Sequence, residues 1–508
     1  MSRSNCGLLT RSVLLTLVLF GIIFLAPGVS AVDAGATGSI GMAPVNPAFL
    51  QYIAEKQAGR YATIPVTADG HALGYIPSPV YIGPGSDSTA GTGRTYAATY
   101  DLRTAGGVNK VSPVKDQNGW GTCWAHGAAA SLESTMMPKT PAPDFSEKNL
   151  VNHAGFGGWD VPNGGGNNYM SAATWTRWDG PVNEASDPYP VNTWTTSPSF
   201  TPTRHVQNVY FLPTRATRGA GSTGDFKSAL TTYGAVSTSF YWGNSFYKAT
   251  TMSYYEPPTS SDPASGGGHI VTIIGWNDTY AKANFNTTPA GNGAWLVKNS
   301  WGTGWGNAGY FWVSYYDKYF ASMTGQYDSA VFLSEATTNY NTIYSYDKLG
   351  MVNSGHYGNT AKNDTFANEF TATKTATVKA VGFYTTDKNV QATVKIYEAP
   401  TTTNPESGTL VSTKSVTLPN RGYNTVVLTT QPAITKGQLF SAVVTVVNPT
   451  EIYPIPTEYS LSGYSSGVIS YLHQGFAKKG TTWKDWDTIM RDWGITDGGH
   501  ICVKVYTT

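Results

Sequence analysis

Apolar positions follow different rhythms in different parts of this chain. Residues 13–26 form an unbroken apolar run behind Arg3 and Arg11, closed by Pro27, Gly28 and the small-residue pattern Val29-Ser30-Ala31. That is the layout of a secretory signal cleaved after Ala31, since the run is short for a membrane span; an uncleaved anchor is the alternative. Residues 47–56 space their apolar side chains as one short amphipathic helix. An Ala-rich stretch beginning at Cys123 has good helix propensity. Residues 145–151 predict a further helix, with Ser146 placed to cap it. Residues 270–276 (Ile-Val-Thr-Ile-Ile-Gly-Trp) read as a strand buried on both faces. From about Asn339 the period becomes two. Residues 377–381, 392–397, 424–428, 439–447 and 501–506 alternate in this way, divided by turns such as Pro419-Asn420-Arg421-Gly422. That pattern predicts an antiparallel β-sandwich over 339–508. In the last run Ile501, Val503 and Val505 share one face, which leaves Cys502 as a bystander beside Lys504 on the less apolar one.

Between the signal and the first long helix lies an arm rich in Pro and Gly. Residues 76–81 (Ile-Pro-Ser-Pro-Val-Tyr) must be extended, because proline restricts itself and its predecessor. Residues 85–95 read as a flexible linker. The expected organisation is therefore signal 1–31, arm and linker 32–95, a central domain 96–335 and the sandwich 339–508. The arm is either a short pro-segment clipped in the linker, where exposed small residues invite proteases, or a permanent arm packed on the enzyme.

Composition narrows the function. A length of 508 residues calls for more than one domain. A net charge of +1 with 13% charged residues offers no basic surface for nucleic acid. Abundant Tyr, Trp and Gly suit a sheet-rich extracellular protein. Once Cys6 leaves with the signal, only Cys123 and Cys502 remain, so a reactive Cys123 would exclude an intramolecular disulfide.

The candidate chemistry starts at Cys123, delivered by a loop broken at Gly119 and Gly121 to the start of the Ala-rich helix. Unpaired N–H groups and the macrodipole there favour a thiolate. Gln117 can aim its amide at the place where an attacked carbonyl oxygen becomes negative, with the Cys123 N–H as second donor. Taken alone, a cysteine opening a small-residue helix is most often a buried hydrophobe. Of the histidines, His126 falls on the same helix and reads as core, and His153 reads as a surface filler. His269 follows Gly266, Gly267 and Gly268, which let backbone crowd a cleft, and opens the buried strand that would hold its ring. Asn299 would orient that ring, Trp301 would cover the bond from water and Trp305 would stack below.

Gln117, Cys123, His269 and Asn299, in this order, resemble the machinery of papain-family (C1) cysteine peptidases. The resemblance covers about residues 96–334. Tyr100-Asp101-Leu102-Arg103 is similar to the opening of the mature domain, and Asp187-Pro188-Tyr189-Pro190 to a turn beyond the helices. Trp120 stands where the family usually has a cysteine, and Asn299 lies late because residues 277–293 form an inserted loop, which holds or borders the sequons at Asn277 and Asn286; a third lies at Asn363. The resemblance implies an α+β papain-like catalytic domain, with a helical subdomain and a β-barrel-like subdomain. Gly165 and Gly166 would line the non-prime side of its cleft, with Gly121, Gly268, Trp301 and Trp305 also meeting substrate. Residues 346–350, 368–370, 454–458 and 500–504 resemble the lectin-like domain attached to secreted archaeal and bacterial relatives. The implied protein is a secreted or cell-envelope cysteine endopeptidase needing no metal or organic cofactor. Its partners are protein or peptide substrates, with a cell-surface glycan as a further candidate through the sandwich, where Trp483, Trp486 and Trp493 could stack on sugars, although Trp at a sandwich edge is more often core. No membrane span is expected after signal cleavage. The competing reading is a non-catalytic surface or carbohydrate-binding protein on a papain-like scaffold.

Overall fold

The computed structural model describes residues 40–81, 94–157, 161–215, 217–262, 266–322 and 327–508. The expected signal and most of the expected linker lie outside the described residues. Among those described, no helix is long and apolar enough to cross a membrane.

Helices and sheet divide the central domain as its sequence periods imply. The helix Cys123–Thr135 is buried along almost its whole length. Its alanines and Gly127 permit this: a Cβ on Gly127 would lie 2.4 Å from Ile270. Beside it pack Glu147–His153 and Asn168–Thr176. The Ser146 side chain accepts from the Asn149 N–H, and the Asn167 side chain accepts from the Met170 N–H, so both helices start on a cap. The helix Pro47–Gln57 forms in the arm as its pattern requires, with Asn46 as cap.

The sheet runs Tyr310–Ser314, Ala294–Lys298, Gly267–Asn277, Val236–Trp242, Ser329–Glu335 and His205–Phe211, each antiparallel to the next. It continues past the expected domain boundary. His205–Phe211 pairs with Gly422–Val427, and from there the sheet passes to Ala376–Thr385, Val503–Thr507 and Thr342–Tyr344. The C-terminal half is thus an antiparallel sandwich whose inner sheet is shared with the central domain. A six-stranded sheet closes its other side, from Thr409–Leu418 to Thr482–Asp485. One apolar core contains Trp124 and Trp175 from the central domain together with Phe370, Val394 and Phe440 from the sandwich.

One expectation for the sandwich changes. Cys502 interrupts the last strand and is fully buried, and Lys504 on its face is buried too, paired with Asp347. The face that looks less apolar in sequence is therefore interior, its charge neutralised by a partner rather than by water. Trp486 follows the core reading, fully buried and edge-on to Trp493 at 5.4 Å. Trp483 and Trp493 remain partly exposed.

The arm does not float free. Gly41–Met42 adds a strand to Asn353–His356 of the sandwich, and Phe49 packs edge-on against Tyr464 at 5.6 Å. From this anchorage the chain crosses to the central domain.

Candidate active site

Cys123 sits at the first position of its helix, where four N–H groups lack intrahelical acceptors. Ile270 N–H donates to its Sγ at 3.4 Å. His269, the preceding residue, lies opposite Phe240 in the sheet register, on the strand that packs against the Cys123 helix. Its Nε2 donates to Asn299 Oδ1 at 2.9 Å, which leaves Nδ1 as the nitrogen without a partner. Trp301 stacks on the imidazole at 4.6 Å between centroids, and Trp305 meets Trp301 edge-on at 4.9 Å. Gly266 must be glycine here, because a Cβ would lie 2.4 Å from the Trp242 carbonyl oxygen.

Gln117 lies on the loop before the helix. Ser300 Oγ donates to its Oε1 at 2.7 Å, which fixes the amide orientation. Its Nε2 then donates to Trp120 O at 2.7 Å and to Ala72 O at 3.0 Å. Lys115, two residues earlier, pins the loop by donating to Phe145 O at 2.7 Å and pairing with Asp144 and Glu147.

Ala72 belongs to the arm, which fills the cleft. His71 stacks on Trp301 at 4.8 Å. The Gly74 N–H bonds toward Cys123 Sγ, and a Cβ on Gly74 would fall 2.1 Å from Gly121 O. Beyond it, Gly166 N–H donates to Gly74 O at 2.9 Å, Ile76 N–H to Gly166 O at 3.0 Å and Tyr75 N–H to Gly268 O at 3.0 Å. Gly121, Gly165, Gly166 and Gly268 therefore all line the bed of a peptide strand. Added side chains would collide: a Cβ on Gly166 would lie 2.5 Å from the Trp124 ring. Beside this strand, arm and domain enclose a cavity of ≈ 560 Å³.

Burial sets the electrostatics. The Cys123 thiol is pushed up to about 11 by desolvation, against the lowering effect of the surrounding N–H groups. His269 is pushed down to about 3, again by burial first, with the Asn299 bond opposing. The helix N-terminus alone predicts a lowered thiol. In the buried site desolvation outweighs the N–H groups around the sulfur and favours the uncharged forms of both thiol and imidazole.

The other histidines fall as expected. His126 is buried, its Nδ1 beside Thr122 O at 3.0 Å and its ring edge-on to Tyr189. His153 is partly exposed, against Pro198 O. Trp120, in the place of the family's cysteine, packs edge-on to Trp194 at 5.6 Å. Sequence reading missed Ser300 as the anchor of Gln117, and Ala72, Gly74 and Tyr75 as occupants of the cleft. A glycine among apolar residues at 72–76 is the only trace of the latter, and it has no meaning without the partner strand.

Residues 96–331 match the family described as "Papain family cysteine protease", and residues 343–507 match "Lectin like domain". The central domain belongs to the papain family. Curated relatives of this papain-family domain include Cathepsin L2 of Homo sapiens, 32% identical over 39% of this chain and 56% of that protein. A Cathepsin L-like peptidase of Aedes aegypti is 32% identical over 42% of this chain and 57% of its own length. The chain thus spans a little over half the length of these relatives. Among solved structures, the cysteine protease and lectin-like domains of Cwp84, a surface layer associated protein of Clostridium difficile, share the fold of both halves. The TM-score is 0.74 at 22% identity, covering 92% of this chain and 98% of that one.

Proposed function

We propose that this protein is a secreted cysteine endopeptidase held inactive by its own arm. The carrying observation is that the Gln117 amide already holds a peptide carbonyl, Ala72 O, in the cleft where Cys123 begins its helix. Once the arm is gone, water and substrate reach the sulfur. The proton passes from Cys123 to His269, and the thiolate attacks the scissile carbonyl carbon. The carbonyl oxygen becomes negative and takes hydrogen bonds from Gln117 Nε2 and the Cys123 N–H. His269 then gives its proton to the leaving amine as the C–N bond breaks. Water, deprotonated by His269, hydrolyses the thioester and restores the thiol. Asn299 keeps Nε2–H engaged so that Nδ1 faces the reaction.

The arm escapes this chemistry because it is threaded the other way. It passes from Trp301 through Gln117 to Gly166 and pairs with Gly166 in parallel sense. An N–H, that of Gly74, meets the sulfur instead of a carbonyl carbon. Cleavage within 85–95 would free it to leave. The lectin-like match of residues 343–507 supports contact with cell-surface glycan and residence in the cell envelope.

The test is labelling with a thiol-trapping epoxide before and after proteolysis within 85–95. Cys123 should label only after the cut, and Cys502 in neither state. Preferential labelling of Cys502, or an inert Cys123 after loss of the arm, would refute the reading and favour a non-catalytic scaffold.

A further inference from the structure

One arm side chain reports on the pocket that substrate must use. Tyr75, only 6% exposed, lies beside Gly268 and stacks on Tyr327 at 5.3 Å. Its phenol shares hydrogen bonds with the Asp328 carboxylate and the Ser239 hydroxyl. Ser239 Oγ in turn donates to Asp328 Oδ1 at 3.1 Å and to Asp328 O at 2.9 Å, which fixes the acid at the start of the strand Ser329–Glu335. Beyond the phenol remains a cavity of ≈ 40 Å³, bordered by Tyr169, Thr214, Ser322, Asp328 and Arg421. That is room for a water or two past the ring.

We infer that Asp328 makes this pocket selective for tyrosine, as the substrate residue seated between Gly166 and Gly268. The inference rests on the peptidase reading. An apolar residue such as Leu or Phe would fill the aromatic walls but take the phenol's hydrogen bond from the buried Asp328, leaving it those of Ser239 and Asn168, which is costly for a buried acceptor. An Arg or Lys would supply a donor, yet it would bring a second cation to the cavity that Arg421 already borders. The phenol supplies a neutral donor of the right length, and the arm uses it for that purpose. Direction of threading does not alter this chemistry, because the walls recognise the side chain.

The experiment uses the arm-free processed enzyme and quenched peptides that differ only at the residue two before the scissile bond. Tyr should exceed Phe, Leu and Arg by about tenfold or more in kcat/KM, a difference of about 1.4 kcal/mol per tenfold. In Asp328→Ala the Tyr-to-Phe ratio should fall to about one, whereas general damage to the fold would lower both rates together. A second measurement does not depend on that variant folding. A synthetic peptide of residues 67–78 should inhibit the wild-type enzyme about tenfold more tightly than the same peptide with Phe at position 75. Equal rates for Phe and Tyr, a preference for Arg, an unchanged ratio in Asp328→Ala, or equal inhibition by the two peptides would each overturn the assignment. Failure to cleave any peptide, with Cys123 inert to epoxide, strikes the peptidase reading instead and takes this inference with it.

Discussion

Gln117 is held by a hydroxyl on its oxygen and two carbonyls on its nitrogen, so its amide does not need to search for an orientation. A preorganised donor of this kind is worth about 10²–10³ in rate. Gln117→Ala should lower kcat of the processed enzyme by that factor and leave thiol labelling intact; near-normal turnover would remove Gln117 from the mechanism. Glu369 shows the opposite use of burial. Its carboxyl oxygens have no hydrogen-bond partner among the described residues, and desolvation pushes it up to about 8 from 4.5. The folded protein therefore keeps a proton that the unfolded chain releases. The stability this group contributes is full below its unfolded value and is lost as pH rises through about 8. Glu369→Gln should therefore flatten the fall in Tm across this window, with a gain of about 1 kcal/mol at the alkaline end after allowance for solvent screening. Parallel pH–Tm curves for variant and wild type would contradict this.

At the scale of elements, the inhibitory contact is a strand on glycines. Gly74 approaches the Gly121 backbone so closely that it tolerates no side chain without moving backbone. Gly74→Ala should unseat the arm and give cleavage activity in the uncut chain, read directly with a peptide substrate. The same change should leave the processed enzyme's kcat unaltered, since the arm is no longer part of it. An uncut Gly74→Ala chain as silent as the wild type would show that the seat is held elsewhere. The cap at Ser146 is an ordinary contrast: Ser146→Ala should cost about 1 kcal/mol in stability with no effect on regulation, measured by denaturant unfolding.

At the scale of the molecule, the two halves share a sheet and a core. The link runs through Gly422, at φ +124, where a Cβ would lie 2.1 Å from Val209 O. Unfolding should therefore be a single transition in calorimetry. Gly422→Ala, which forces the strands at Gly422 and Tyr210 apart, should split it into two. Two transitions already present in the wild type would show that the shared strands carry little coupling.

The sequence by itself determined what local pattern and residue identity can encode. Cys123 opens a small-residue helix, His269 opens a buried strand, and Ser146 caps its helix. Period-two runs build the sandwich. Each of these depends on neighbours within a few residues, so the information is contiguous. What only the tertiary structure decided depends on which distant segments meet. The arm carbonyl at Ala72 occupies the Gln117 amide, the sheet crosses from His205–Phe211 to Gly422–Val427, and Lys504 finds Asp347 in the interior. Even the charge on Cys123 belongs to this class. A helix start favours thiolate wherever it occurs, but here burial among distant segments outweighs the N–H groups that surround the sulfur.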